Sequence, residues 1–336
     1  MTSTALINTA SLEEIFEAFN SLRVLIVGDV MLDSYVWGRV DRISPEAPVP
    51  VVTVQRRELR LGGAGNVILN VQALGAEPII CSVIGTDEPG DRLIGQLRGN
   101  GLNCDGLIRS DARITTIKER IMAGSQQVVR VDTETDQYIS EPERNLLIAK
   151  AKELIPTCQV VIFQDYDKGV LSQEAIAEIT NFANEQGVPT VVDPKKRNFM
   201  AYHHTTLFKP NLKELKEGLK IDFDVTKTGE FQAAIDKLKA RMNLKGALIT
   251  LSERGVFIDF QGEIHRFPAH IRQISDVSGA GDTVISVAAC CVALGLPPRF
   301  IAGLSNLAGG LVCESLGVVP IDKQRLKTEA IKEALL

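Results

Sequence analysis

Between residues 141 and 251 the chain alternates helix-patterned stretches with short apolar runs, and no other feature restricts the fold as much. QVVIF (159–163), VPTVVD (188–193), TTLFKP (205–210) and GALITL (246–251) have the length and bounded apolar character of buried strands. Helical patterns cover 141–155, 172–186 and 228–242, and NLKEL at 211–215 opens another. Strands separated by helices of this length pair in parallel, in a sheet covered on both faces. The first half carries the same signals. A short amphipathic helix at 11–20 precedes the strand LRVLIVG (22–28), a helix starts within 62–76, EPIICSVIG (77–85) is a strand and 87–98 a helix. A hairpin at 255–268, a helical pair at 280–316 and a last helix at 322–335 complete the chain. The expected class is α/β, with a central, mostly parallel sheet and helices on both faces.

Two stretches break the alternation. Residues 34–60 hold prolines 45, 48 and 50 and alternate apolar with polar residues over 50–56, a pattern of edge strands outside a main sheet. TTIKERIM and QQVVRVDTE, around the turn AGS, form a second alternating pair. Together they predict one small protruding β-sheet, a lid built from about 34–60 and 113–132. No repeat, linker or low-complexity tract divides residues 1–336, so a single domain is expected.

The formal net charge of −5 supplies no basic field for nucleic acid. No run of about 18 apolar residues is present, and the N-terminal segment lacks a signal-peptide pattern, so no membrane partner is expected. The six cysteines form no CxxC pair and are expected as buried free thiols in a reducing compartment, the cytoplasm. The four histidines show no zinc-ligand spacing.

Polar residues gather at the expected strand ends. Asp29 and Asp33 follow the first strand, QDYDKG (164–169) and DPKKRN (193–198) follow two later ones, and Asn211 with Glu214 follow the next. Thr250, Ser252, Glu253 and Gly255 lie at and beyond the end of the GALIT strand. In open α/β sheets ligands bind at the carboxyl ends of the strands. The segment DVSGAGDT (276–283) then runs into an apolar helix. Its glycines allow close backbone approach, and the helix N-terminus offers free N–H groups and partial positive charge to an anion. Asp282, in the first turn, is either a helix cap or a base held beside that anion. Lysines, helix N-termini, and Asn and Glu able to hold hydrated Mg²⁺ suit phosphoryl transfer. The dipeptide Gly-Lys never occurs, which excludes a P-loop, and no protein-kinase HRD or DFG set is present.

Over essentially its whole length the sequence resembles the PfkB-type carbohydrate kinases of the ribokinase-like fold. GGAGN (62–66) resembles their first signature, DVSGAGDT their second and NLKE (211–214) their NxxE motif. GDVMLDSYVWGRVDRISPEAPVPV, QQVVRVD, DYDKGVLS and DPKKRNF resemble the branch that phosphorylates D-glycero-β-D-manno-heptose 7-phosphate in ADP-heptose biosynthesis. The resemblance implies an ATP-dependent kinase acting on the anomeric hydroxyl. Asp282 would be the general base, and Gly279, Ala280 and Gly281 the anion hole. Asp33, Gly62, Gly63 and Asn66 would hold the sugar, with Lys118, Arg120, Arg130 and Lys168 as cations for its distal phosphate. Lys195, Asn211, Glu214, Thr250, Ser252, Gly255 and Asn306 would serve the nucleotide. Asn211 and Glu214 would organise Mg²⁺, and Asp276 would belong to a loop for a monovalent cation such as K⁺. The resemblance also implies a homodimer formed through the lid. With no HxGH sequence, a nucleotidyltransferase domain is not expected. The chain departs from its relatives at Asp167, where they carry a small residue, at GGAGN in place of GGAAN, and at Gly124-Ser125 before the glutamine pair. Other sugar kinases of the family, for fructose phosphate or a pentose, and a non-catalytic sugar sensor are the alternatives.

Overall fold

The computed structural model describes residues 12–333 apart from 125, 271 and 273. The start of the expected first helix, the end of the expected last one and Ser125 lie outside the described residues.

After α1 (Leu12–Ala18), strand β1 (Arg23–Gly28) enters the main sheet and is followed by two lid strands, β2 (Val30–Ile43) and β3 (Pro50–Gly63). Helix α2 (Ala64–Ala73), β4 (Glu77–Gly85), α3 (Glu88–Gly99) and β5 (Leu107–Ser110) come next, then the lid strands β6 (Ile117–Ala123) and β7 (Gln126–Thr133). The second half runs α4 (Glu141–Leu154), β8 (Val160–Gln164), α5 (Gln173–Glu185), β9 (Thr190–Asp193), β10 (Leu207–Phe208), α6 (Leu212–Leu219), α7 (Thr228–Met242) and β11 (Gly246–Thr250). Strands β12 (Val256–Phe260) and β13 (Glu263–Phe267) make the hairpin, and α8 (Ala280–Ala293), α9 (Pro298–Val312) and α10 (Lys323–Lys332) end the chain.

The main sheet has the order β13-β12-β11-β10-β9-β8-β1-β4-β5, parallel except at β12 and β13. Successive residues of a strand point to opposite faces. Val24 and Ile26 of β1 therefore join one apolar core, with α2, α8 and α9, while Leu25 and Val27 join the other, with α4, α5 and α7. Burial on both sides explains why these strands are continuously apolar. Helix α8, AGDTVISVAACCVA, is buried from Asp282 to Val292, so its apolar residues show no amphipathic stripe. The β5 strand was not among those expected. It is a short edge strand of four half-buried or buried residues, too brief for periodicity to reveal.

The lid is a second sheet of order β3-β2-β6-β7. Strand β2 is interior to it, antiparallel to β3 and parallel to β6, and it begins at Val30. Asp33 is thus inside a lid strand rather than in a loop after β1. The register gives the lid two unlike faces. Asp33, Arg60, Lys118 and Asp132 share one row, and Tyr35, Glu58, Arg120 and Arg130 the next row of the same face. Val36, Ile121 and Val129 lie across the opposite face. The six cysteines are free, four of them buried. Among the described residues, no helix is long and apolar enough to cross a membrane.

Candidate active site

The carboxyl ends of β1, β8 and β9 lie in one register, Gly28 beside Gln164 and Gln164 beside Asp193. The turn into α8 meets this edge. Gly279 has φ of 81°, a left-handed conformation that glycine adopts without steric cost. A Cβ there would lie 2.9 Å from the Asn66 amide nitrogen. Asp282, the third residue of α8, is only 6% exposed. Its carboxylate is taken by side chains of other elements, not by the start of its own helix. Oδ2 accepts from Asn66 Nδ2 at 2.7 Å. Oδ1 accepts from Gln164 Nε2 at 3.0 Å and from the Tyr166 hydroxyl at 2.8 Å. Burial, reinforced by the Asp193 charge, raises its pKa to about 6 against the Asn66 and Tyr166 bonds and the Lys209 charge. Such a carboxylate is ionised at neutral pH and basic enough to share a proton in a transition state.

Two lysines stand beside it. Lys209 and Asp193 form a buried ion pair at 3.0 Å. The Cβ position of Gly281 is 3.7 Å from the Lys209 ammonium, which brings that charge against the α8 turn. Lys195 reaches Glu214 at 3.1 Å and stands 5.1 Å from the centre of the Tyr166 ring. Burial opposes its charge, but Asp193 and Glu214 outweigh burial and raise its pKa. Asn211 and Glu214 close a capping box at the start of α6, each side chain accepting from the other's backbone N–H at 2.8 Å. The NxxE spacing therefore has a local structural role, and the second oxygen of Glu214 is left for Lys195.

A cavity of about 550 Å³ opens here, a size suited to a small-molecule ligand. All seven residues expected at the nucleotide line it: Lys195, Asn211, Glu214, Thr250, Ser252, Gly255 and Asn306. Gly279, Ala280, Gly281 and Asp282 close one wall. Asp276 does not line it. Its carboxylate accepts from Ser278 N–H at 2.9 Å and Gly317 N–H at 3.0 Å, tying its turn to the loop after α9.

The residues expected at the sugar fall into two groups. Asn66 touches Asp282 directly, and Gly63, with φ of 57°, brings the start of α2 against the Asp29 carbonyl. Asp33 packs against Gly62, where a Cβ would lie 2.4 Å from its Oδ2, and pairs with Arg120. The other cations are paired as well. Lys118 bridges Asp132 at 3.2 Å and Glu134 at 2.7 Å, Lys168 reaches Glu134 at 2.7 Å, and Arg130 reaches Asp132 at 2.9 Å. A chain of alternating charge thus runs from the lid to the 164–170 loop.

Sequence reasoning did not single out Lys209, Gln164 or Tyr166. Lys209 is one lysine among many, and an amide or a phenol carries no charge pattern. The departure at Asp167 has a local explanation: its φ is 55°, a left-handed position that Asp tolerates, and its carboxylate receives the Arg197 N–H. Asp165, at the same strand end, does not reach the cavity. It accepts from Tyr202 and Asn198 in the core.

The pattern of the pfkB family of carbohydrate kinases matches residues 21–324. The chain belongs to this family. Among curated relatives, the bifunctional protein HldE of Desulfatibacillum aliphaticivorans is 40% identical over 316 residues, 93% of this chain and 63% of that protein. The chain therefore spans under two thirds of that relative's length. Two solved structures share the fold. Phosphofructokinase-2 from Escherichia coli in complex with potassium has a TM-score of 0.75 at 17% identity, covering 94% of this chain and 99% of that one. Arabidopsis thaliana ribokinase complexed with ribose and ATP has a TM-score of 0.69 at 16% identity, covering 91% and 98%. The chain is thus a pfkB-family carbohydrate kinase by its family pattern and ribokinase-like in fold, as expected.

Proposed function

We propose that this pfkB-family kinase transfers the γ-phosphoryl group of ATP to the anomeric hydroxyl of D-glycero-D-manno-heptose 7-phosphate, yielding the 1,7-bisphosphate. The observation that carries the transfer is the buried Asp282 carboxylate, held beside an open helix N-terminus at the wall of a lysine-lined cavity. The choice of sugar is supported by SPEAPVPV, QQVVRVD and DPKKRNF and by the 40% identity to HldE.

In this reading Asp282 takes the proton of the sugar hydroxyl, and the N–H groups of Gly279 and Gly281, with that of Ala280 turned from the Val277 carbonyl it now meets at 3.3 Å, receive charge developing on the transferred group. Lys195 adds positive charge, while Thr250, Ser252, Gly255 and Asn306 hold the nucleotide. Bound Mg²⁺ would neutralise phosphate charge. It keeps several waters and needs one or two carboxylates besides the phosphates, and Glu214, on the cavity wall with Asn211, fits that requirement. Asp276 would belong to a loop for a monovalent cation, a reading supported by the potassium in the phosphofructokinase-2 structure.

Asp33, Gly62, Gly63 and Asn66 hold the sugar body. Lys118, Arg120, Arg130 and Lys168 then receive the 7-phosphate, and their present partners Asp33, Asp132 and Glu134 keep the cations in place until it arrives. Charge-assisted bonds from these cations to the 7-phosphate favour the phosphorylated sugar over the free heptose. The test is kcat/KM, from ADP release, for heptose 7-phosphate, free heptose, fructose 6-phosphate and ribose. The expected order puts heptose 7-phosphate far ahead. Equal values for the two heptoses would remove the distal-phosphate site, and a preference for fructose 6-phosphate or ribose would overturn the substrate while leaving the kinase.

A further inference from the structure

We propose that Tyr166 is a positioning residue of the transfer: with Gln164 it occupies Oδ1 of Asp282 and leaves Oδ2 as the oxygen that takes the sugar proton. The inference rests on the reading of Asp282 as the base and goes beyond it by naming the atom and the group that selects it.

Each carboxylate oxygen offers two lone-pair directions in its plane. Oδ1 receives two donors, the Gln164 amide at 3.0 Å and the Tyr166 hydroxyl at 2.8 Å, and has none to spare. Oδ2 receives one, the Asn66 amide at 2.7 Å, and keeps one direction open. Tyr166 and Asp282 both line the cavity, so the open direction belongs to a group a ligand can reach. The phenol is a dependable donor. Burial first, and then the charges of Asp282 and Asp193, raise its pKa well above the ordinary value, so the proton stays on the hydroxyl.

The loop that carries Tyr166 is fixed at its backbone. Asp29, 1% exposed, accepts the N–H groups of Tyr166 at 2.8 Å, Lys168 at 3.1 Å and Val170 at 3.1 Å. The Tyr166 ring lies 5.1 Å from the Lys195 ammonium, so one side chain touches both the base and the neighbouring cation. The charged and titratable groups around Asp282 are Asp193 at the end of β9, Lys195 after it, Lys209 after β10 and Tyr166 itself; α2 contributes only the neutral Asn66.

The step balances. The O–H bond of the anomeric hydroxyl breaks and its proton goes to Oδ2. The hydroxyl oxygen forms the new bond to the γ-phosphorus. The bond from that phosphorus to the bridging oxygen breaks, and its electron pair leaves on ADP.

Tyr166→Phe keeps the ring, and with it the contact to Lys195, and removes the donor. Its kcat should fall several-fold because the carboxylate loses a group that fixes its orientation, with KM for ATP unchanged. Because that bond lowers the pKa of Asp282, the acid limb of kcat/KM should move to higher pH. Where turnover is too slow for a profile, infrared titration of the carboxylate band lost in Asp282→Asn reads the same shift. If Asp282→Asn is inactive while Tyr166→Phe leaves the limb unmoved, whatever its kcat, the inference falls and the base reading stands. If Asp282→Asn turns over normally, the base reading falls and takes the inference with it.

Discussion

Asp282 is buried and ionised at neutral pH, and asparagine matches its size while losing the proton acceptor. Turnover of Asp282→Asn should fall by about 10²–10⁴, with ADP affinity in calorimetry close to wild type because the backbone N–H groups remain. Unchanged turnover would return the residue to a packing role. The pH profile carries the same information in the wild type. With the pKa raised to about 6, kcat/KM should hold above that value and decline below it as the base becomes protonated. A profile flat down to the ordinary carboxylate range would contradict this. Lys209 is a different kind of residue. Its partner Asp193 is buried, and Lys209→Met would remove the cation paired with that carboxylate, leaving Lys195 as the remaining neighbouring charge. Removing one member of a buried pair costs about 3–5 kcal/mol, a loss that urea unfolding would register. A midpoint equal to wild type would mean that Asp193 finds another partner.

At the scale of an element, the 164–170 loop is held in place by two buried carboxylates. Asp29 gathers three backbone N–H groups, and Asp165 binds Tyr202 and Asn198. Burial, with the nearby charge of Asp29, pushes Asp165 up to about 7 against those hydrogen bonds. The folded protein thus holds a proton at Asp165 over a range in which the unfolded chain has released it. Stability from this group is full below the ordinary carboxylate range and is lost as pH rises through about 7. Asp282 adds the same sign through about 6. Without ligand, the thermal midpoint should be lower at pH 8 than at pH 6, and Asp165→Asn should flatten the slope. A wild-type midpoint that rises between pH 6 and pH 8 would show that other groups dominate the linkage.

For the whole molecule, the two faces of the lid differ in character. Its charged face carries the cations assigned to the sugar phosphate, and its other face carries Val129 and Val131, 48% and 50% exposed. An exposed apolar sheet face is a natural contact between chains. We expect a homodimer in which two lids pack face to face and cover each sugar site. Sedimentation at micromolar concentration should give a dimer, and a double Val129→Glu, Val131→Glu variant should give monomers with weakened sugar binding. A wild-type monomer with full activity would sink the proposal.

The alternation of strand and helix signals was enough to place the main sheet, because local apolar periodicity reports which residues are buried on one face or two. Helix α7 and strand β4 fall where their patterns placed them, at Thr228–Met242 and Glu77–Gly85. The GAGD turn and the NxxE pair were legible too, since glycine geometry and capping are local. Other features needed the tertiary structure. The sequence left Asp282 open between cap and base, and only the approach of Asn66, Gln164 and Tyr166 from three other elements shows its carboxylate turned away from its own helix. Lys209 became visible only when the carboxyl end of β9 brought Asp193 against it. The stretch 34–60 reads as edge strands because its prolines and alternation are local, whereas the interior place of β2 depends on pairing with β6, more than 70 residues away in sequence. Periodicity is a property of neighbours along the chain; a hydrogen bond or ion pair between distant residues is decided by how the packed elements meet.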